Sequence, residues 1–302
     1  MGKIYCFCAF CLVALPLLAM LWQQGETPAI QQGVPRRIVS LAPAITETLY
    51  ALGLGDSVAG VTEFCAWPPE AAQKPKTGGF REVNLEAIAR SGADLAILPA
   101  DMAHFRNLIE ALGIPVMLFD YSSLSSFLAA ARDLGSLCGK KDEAAALAAG
   151  FARAMRNTEK EEQRPRVLFI ILNPDEYDRL PGEMTAIGDD GFYSGLIEAA
   201  GGRNAYIGKT PFPRLSLEAA IAMNPDVIVL SAPKLADSNQ LEQRWREFGR
   251  LDGVKGERLL VLTDPGDTIP GPRSLATLKK IARAIEAAGG QKHEGNENAA
   301  PR

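Results

Sequence analysis

Histidine is nearly absent from this chain of 302 residues: His104 and His293 are the only two. A site for bare zinc or manganese needs a cluster of His, Cys or Asp ligands, which two histidines this far apart do not supply. An α/β hydrolase needs a G-x-S-x-G nucleophile elbow and a histidine late in the fold. No such elbow occurs, His104 comes early, and His293 lies beyond the last expected helix. There is no G-x-x-x-x-G-K-S/T phosphate loop, and GLGDSVAG (53–60) lacks dinucleotide spacing. An exported α/β hydrolase is thus a remote alternative with no catalytic residue to name, and neither a cofactor nor a resident metal is expected. An excess of basic charge is also missing. Lys and Arg total 32 against 36 Asp and Glu, a net charge of −4, which argues against a nucleic-acid partner.

Cysteine is scarce. Three of the five, Cys6, Cys8 and Cys11, fall in the N-terminal apolar run, leaving Cys65 and Cys138. Two cysteines make no disulfide framework, and whether they pair stays open; two partly buried thiols is the simpler reading. Charge is missing altogether between Ile4 and Trp22, and Lys3 precedes that run. The pattern is that of a secretory signal, and its length also fits an uncleaved anchor (residues 1–22). Cys11 lies inside the run rather than after it, which argues against lipid attachment. Either way the chain is exported, with a polar linker at 23–36 and a polar tail at 289–302 expected to be disordered.

Between linker and tail, short β-rich runs alternate with helical stretches. RIVSL (37–41), SVAGV (57–61), DLAIL (94–98) and PVMLF (115–119) form a first set, with Thr46 as a helix cap after Pro43 and a helix from His104 to Leu112. RVLFIIL (166–172), DVIVL (226–230) and RLLVL (258–262) form a second, closed by a helix from Ser274 to Ala288. Strands separated by helices of this length predict βα units in mainly parallel sheets. The expected plan is an N-terminal lobe at 37–122, a helical linker at 123–163 and a C-terminal lobe at 164–288. Lys141 to Glu162 is rich in Ala, Glu, Lys and Arg, with Ala144, Leu147, Phe151 and Met155 on one face. As one helix it would span about 30 Å, enough to bridge two domains.

One segment occurs twice. NLEAIARSGADLAIL (84–98) and SLEAAIAMNPDVIVL (216–230) align without a gap. Asn84 and Ser216 are expected helix caps, Glu86 and Glu218 sit in the first turn, and Asp94 and Asp226 precede a strand. First-turn glutamates are common helix-end chemistry; a matched pair on two similar lobes also suits a partner that is itself two-fold.

The chain from about Arg37 to Ala288 resembles the periplasmic binding proteins with a helical backbone, which serve ABC importers of vitamin B12, haem and iron-siderophores. The resemblance rests on RIVSLAPAITETLYALGLGDSVAGVTEFCAWPPEA (37–71), the twin segments, IEAAGGRNAY (197–206) and GPRSLATLKKIARAI (271–285), in that order. It implies two Rossmann-like α/β lobes with parallel-type sheets, joined by one long backbone helix. It also implies a monomer that captures a ligand between its lobes and delivers it to a membrane permease with its ATPase. Contact with the membrane is then only through that transporter or an uncleaved N-terminal anchor. In that family a glutamate on each lobe docks on basic permease residues, and the matching positions are Glu86 and Glu218.

Ligand contacts in α/β lobes gather beyond the carboxyl ends of strands. Phe64 and Trp67 in TEFCAWPPE, Phe80 after Gly78-Gly79, Tyr121 after 115–119, and Phe212 between Pro211 and Pro213 offer flat aromatic faces there. The resemblance is closest to the vitamin B12-binding branch, whose aromatic contacts fall on Phe64, Phe80 and Phe212 and whose acidic contact falls on Asp267. A departure is Pro99, where that branch has Trp. A corrinoid is therefore the expected ligand, with haem or an iron-siderophore the alternative. His104, in PADMAHF, is a candidate axial ligand or a plain surface residue. Arg81 and Arg273 are candidate partners for ligand carboxylates or simple surface charges. GDDG (188–191) is read as a turn before a helix.

Overall fold

The computed structural model describes residues 33–79, 81–155, 163–177, 182–247 and 258–297, with side chains to 288 in the last helix. The expected signal or anchor at 1–22 lies outside the described residues. Among those described, no helix is long and apolar enough to cross a membrane.

The N-terminal lobe runs β1 (Ile38–Ser40), α1 (Pro43–Ala51), β2 (Val58–Val61), α2 (Pro69–Ala72), α3 (Leu85–Arg90), β3 (Leu95–Pro99), α4 (Arg106–Glu110) and β4 (Val116–Phe119). Its four strands are all parallel, in the order β2-β1-β3-β4. Pro43 starts α1 at its first position, where a missing N–H costs nothing. Thr46 is therefore inside the helix rather than its cap, and its hydroxyl donates to the Ala42 carbonyl at 3.1 Å. The helix expected from His104 is likewise shorter: Ala100–Phe105 is 3-10 and only Arg106–Glu110 is α-helical.

The chain then crosses over through α5 (Leu124–Leu137) and α6 (Lys141–Ala154). The reading of one helix to Glu162 is too long by the described residues. α6 ends at Ala154, with Met155 extended (φ −64°, ψ 139°), and 156–162 lie outside the described residues.

The C-terminal lobe comprises β5 (Arg166–Ile171), β6 (Glu183–Ala186), α7 (Phe192–Ala199), β7 (Arg203–Asn204), β8 (Arg214–Ser216), α8 (Leu217–Met223), β9 (Val227–Ser231), α9 (Asn239–Glu247), β10 (Leu259–Leu262) and α10 (Ser274–Glu297). Here β10, β9, β5 and β7 are parallel, while β6 and β8 extend the sheet antiparallel. Helix α10 runs past Ala288, where the sequence reading ended it, because Gly289-Gly290 weakens a helix without the steric stop that proline imposes.

The twin segments fold alike. Asn84 Oδ1 accepts from the Ala87 N–H at 2.9 Å, and Ser216 Oγ from the Ala219 N–H at 3.2 Å. The following aspartates tie each lobe's first strand to its neighbour. Asp94 accepts from the N–H groups of Arg36 and Arg37 at 2.8 and 3.0 Å, and its own N–H donates to the Arg37 carbonyl. Asp226 accepts from the Arg166 N–H at 2.8 Å and donates back to the Arg166 carbonyl.

Successive strand residues face opposite cores. Ile38, Leu95 and Ile97 point one way, and Val39, Ala96 and Leu98 the other. In the second lobe Val167, Phe169, Val227 and Val229 join Ile38's side, so one apolar core runs continuously from lobe to lobe. Helices α1, α5, α6, α7 and α10 contribute to it, and Phe127 stands at its middle. Its ring is fully buried within 6.2 Å of Phe119, 6.0 Å of Phe151 and 6.1 Å of Phe192, centroid to centroid. Cys65 and Cys138 are both free and buried. Burial pushes the Cys138 thiol up to about 11, with Asp94 adding to the rise.

One polar bridge crosses between the lobes. Arg273, just before α10, donates from Nε to Glu47 Oε2 at 2.9 Å and from Nη2 to Glu47 Oε1, while Nη1 reaches Asp264 at 3.0 Å. Its guanidinium also lies 5.1 Å from the centre of the Trp67 ring. Glu47 belongs to α1 and is 4% exposed. Burial raises its pKa above the ordinary carboxylate value, and Arg273 offsets only part of that rise.

Two outcomes follow from this packing. Phe127→Ala is expected to cost about 3–5 kcal/mol and to lower the stability of both lobes together in one urea transition. Two separated transitions would show that the central core does not couple them. Arg273→Leu strands a buried carboxylate and is expected to cost about 3–5 kcal/mol near pH 8. A carboxylate whose folded pKa is raised stabilises the fold below its unfolded pKa and loses that contribution as pH rises. The deficit of Arg273→Leu against the parent should therefore shrink as pH falls toward about 5, read by thermal denaturation across pH.

Candidate functional site

The carboxyl ends of β3 and β4 border a cavity of about 480 Å³ whose other wall is built by loops of the second lobe. From the first lobe come Ala100 and Asp101 after β3, and Phe119 to Ser122 at the end of β4. The second lobe adds Asp190, Phe192 and Tyr193 at the start of α7, Phe212 from the loop before β8, and Pro270 after β10. A larger hollow of about 700 Å³, with Arg166, Arg203, Tyr206 and Ile207 on its walls, draws on the second lobe alone. The interlobe cavity is the candidate site because both halves of the chain build it, the first lobe with the carboxyl ends of its strands.

The spacing between its walls is set by backbone. Gly191 has φ 84°, and a Cβ there would stand 2.4 Å from the Ser122 carbonyl oxygen of the opposite lobe. Only glycine fits so close an approach. The GDDG turn is a turn, as read, and also a wall: Asp190 accepts from the N–H groups of Tyr193 and Ser194 at 2.9 and 2.8 Å, capping α7.

Two of the expected aromatic contacts meet here, Tyr121 and Phe212, one from each lobe. Phe212 is half exposed, while burial pushes the Tyr121 phenol up to about 12, so it stays protonated. Tyr193 is 6% exposed, its hydroxyl has no hydrogen-bond partner among the described residues, and burial with nearby Asp190, Asp267 and Glu47 raises its pKa well above the usual tyrosine value. Burial also opposes ionisation of Asp120. Hydrogen bonds from the Ser122 backbone and from the Ser122 and Ser126 hydroxyls overcome it and hold the carboxyl below its ordinary value.

Those of the remaining expected contacts that are described do not line the cavity. Phe64 and Trp67 sit exposed on the loop after β2, with Trp67 beside Arg273. His104 is exposed in the 3-10 segment, its ring 4.1 Å from that of Phe105. Phe80 lies outside the described residues. Asp267 is 3% exposed and turned into the protein, accepting from Thr277 at 2.7 Å and from Lys280 at 2.9 Å. Both of its carboxylate oxygens thus have partners within the protein. Arg81 and Arg273 are likewise engaged, by Asp101 at 3.3 Å and by Glu47 with Asp264.

The sequence reading missed Asp101, Asp120 and Asp190, although the strand-end rule that found Tyr121 covers PAD (99–101) and FDY (119–121) equally well. Glu86 and Glu218 are both exposed, in the first turns of α3 and α8. Glu86 pairs with Arg90 at 2.8 Å. The Glu218 carboxyl is lowered by its own backbone N–H and by the Ser216 hydroxyl.

Residues 38–264 match the family model described as periplasmic binding protein. An uncharacterised ABC transporter substrate-binding lipoprotein of Bacillus subtilis is 27% identical over 83% of this chain and 80% of its own. A cobalamin-binding protein of Halobacterium salinarum is 30% identical over 67% of this chain, which spans 56% of that protein. Among solved structures, the periplasmic vitamin B12-binding protein of Vibrio cholerae shares the fold with a TM-score of 0.67, at 20% identity over 84% of this chain and 98% of its own. Two α/β lobes closing on a cavity at their strand ends, with this match along three quarters of the chain, place the protein in the periplasmic binding protein family, as the substrate-binding component of an ABC importer.

Proposed function

We propose that the interlobe cavity captures a corrinoid and that Glu86 and Glu218 dock the loaded protein on its permease. The observation that carries the first part is the pair of aromatic side chains, Tyr121 and Phe212, presented from opposite lobes to one cavity. Flat faces on both sides suit a large planar ligand held between them. The cobalamin-binding relative supports the same choice. Docking rests on the twin helix starts. Each places an exposed carboxylate in the first turn of a capped helix, at equivalent positions on two lobes of the same plan. A membrane partner with two similar halves would meet each lobe with one half.

Titration of the purified chain with cyanocobalamin, haemin and a ferric siderophore, followed by absorbance, tests the ligand. Saturable one-to-one binding of cyanocobalamin is expected. Saturable binding of haemin or the siderophore with none of cyanocobalamin would overturn the corrinoid reading. Tyr121→Ala and Phe212→Ala should each weaken cobalamin binding by about tenfold, as loss of an aromatic contact implies. Glu86→Lys with Glu218→Lys should leave ligand affinity intact and reduce uptake into cells carrying the cognate transporter. Undiminished uptake would remove the docking role.

A further inference from the structure

The cavity between the lobes has an uneven charge. Asp101, Asp120 and Asp190 line it, and no Lys, Arg or His does so among the described residues. The two arginines best placed by sequence to meet ligand carboxylates are already occupied. Arg81 pairs with Asp101 at the rim, where both side chains are about 60% exposed, and Arg273 is held by Glu47 and Asp264. Asp190 is partly compensated by the two N–H groups at the start of α7. Among its hydrogen-bond partners Asp120 has only neutral groups, Ser122 and Ser126. Beside these carboxylates stands Tyr193, more than nine-tenths buried and part of the same cavity wall, whose own buried hydroxyl finds no hydrogen-bond partner among the described residues. An unsatisfied buried polar group of this kind is costly unless a ligand or water completes it. Among the described residues no three His, Cys, Asp or Glu side chains come together to hold a metal ion, so the acidic wall is not a bare-cation site.

We infer that Asp101, Asp120 and Asp190 are specificity-determining residues that exclude carboxylate-bearing ligands and favour a neutral or cationic ligand edged with amide N–H donors. This rests on the cavity being the ligand site. A corrin ring edged with primary amides presents donors to these oxygens. A porphyrin with two propionates, or a citrate-type iron chelate, brings like charges into a cavity whose described lining holds three carboxylates and no Lys, Arg or His, and like charges a few ångströms apart repel strongly when partly shielded from water.

The test compares cyanocobalamin with its monocarboxylate, in which one peripheral amide has been hydrolysed. Size and shape are nearly unchanged and one negative charge is added. The full chain is titrated with each at low and high salt, alongside the double variant Asp101→Asn with Asp120→Asn. The monocarboxylate should bind roughly tenfold more weakly at low salt, the deficit expected of a few screened like-charge contacts. That ratio should narrow at high salt and in the double variant. Equal affinities at low salt would overturn the proposal, as would a deficit that neither salt nor the double variant reduces. Failure of both corrinoids to bind would instead remove the corrinoid reading on which the proposal rests.

Discussion

The continuous apolar core between the two sheets is the constraint on which the remaining features depend. Each lobe contributes side chains from one face of its sheet, and α1, α5, α6, α7 and α10 complete the core, with Phe127 against aromatics from both lobes. Lobes joined by a flexible strand could swing widely. Lobes that share close-packed side chains can rotate only as far as that packing yields. The Arg273–Glu47 bridge adds a polar tie on the same interface, so the cavity is bounded by parts held in fixed relation.

Much of the fold was legible because its signals are local. Parallel strands buried on both faces read as runs of Val, Ile and Leu, and IVS, LAILP and VIVLS all lie where the pattern places them. Helix caps were equally plain: Asn84 and Ser216 each bond to the N–H three residues on. Features set by tertiary context were not legible. Thr46 has a cap's chemistry, but Pro43 three residues earlier had already begun the helix. The antiparallel strands β6 and β8 are short and carry Glu183, Thr185, Arg214 and Ser216, so no apolar run marks them.

The site was legible in type and only partly in membership. The strand-end rule selects loops, and Tyr121 comes from one it selects, while Phe212 precedes β8. It does not say which loop side chains turn inward. Phe64 and Trp67 satisfy the rule and remain exposed, while Asp267 satisfies it and is withdrawn by Lys280 and Thr277. A bias toward aromatics also hid the carboxylates. Asp120 precedes Tyr121 directly, and both face the same cavity.

The close approach of Gly191 to the Ser122 carbonyl gives the cavity a fixed gauge. Two main chains in close approach beside it make the slot's width a property of the backbone, while its loop side chains decide what can line up inside. Divergence of ligand range in such a protein would therefore proceed by exchanging residues such as those at 101, 120, 121 and 212 around an unaltered opening. A larger cargo would be gained by carving the walls, and the jaws would keep their bite.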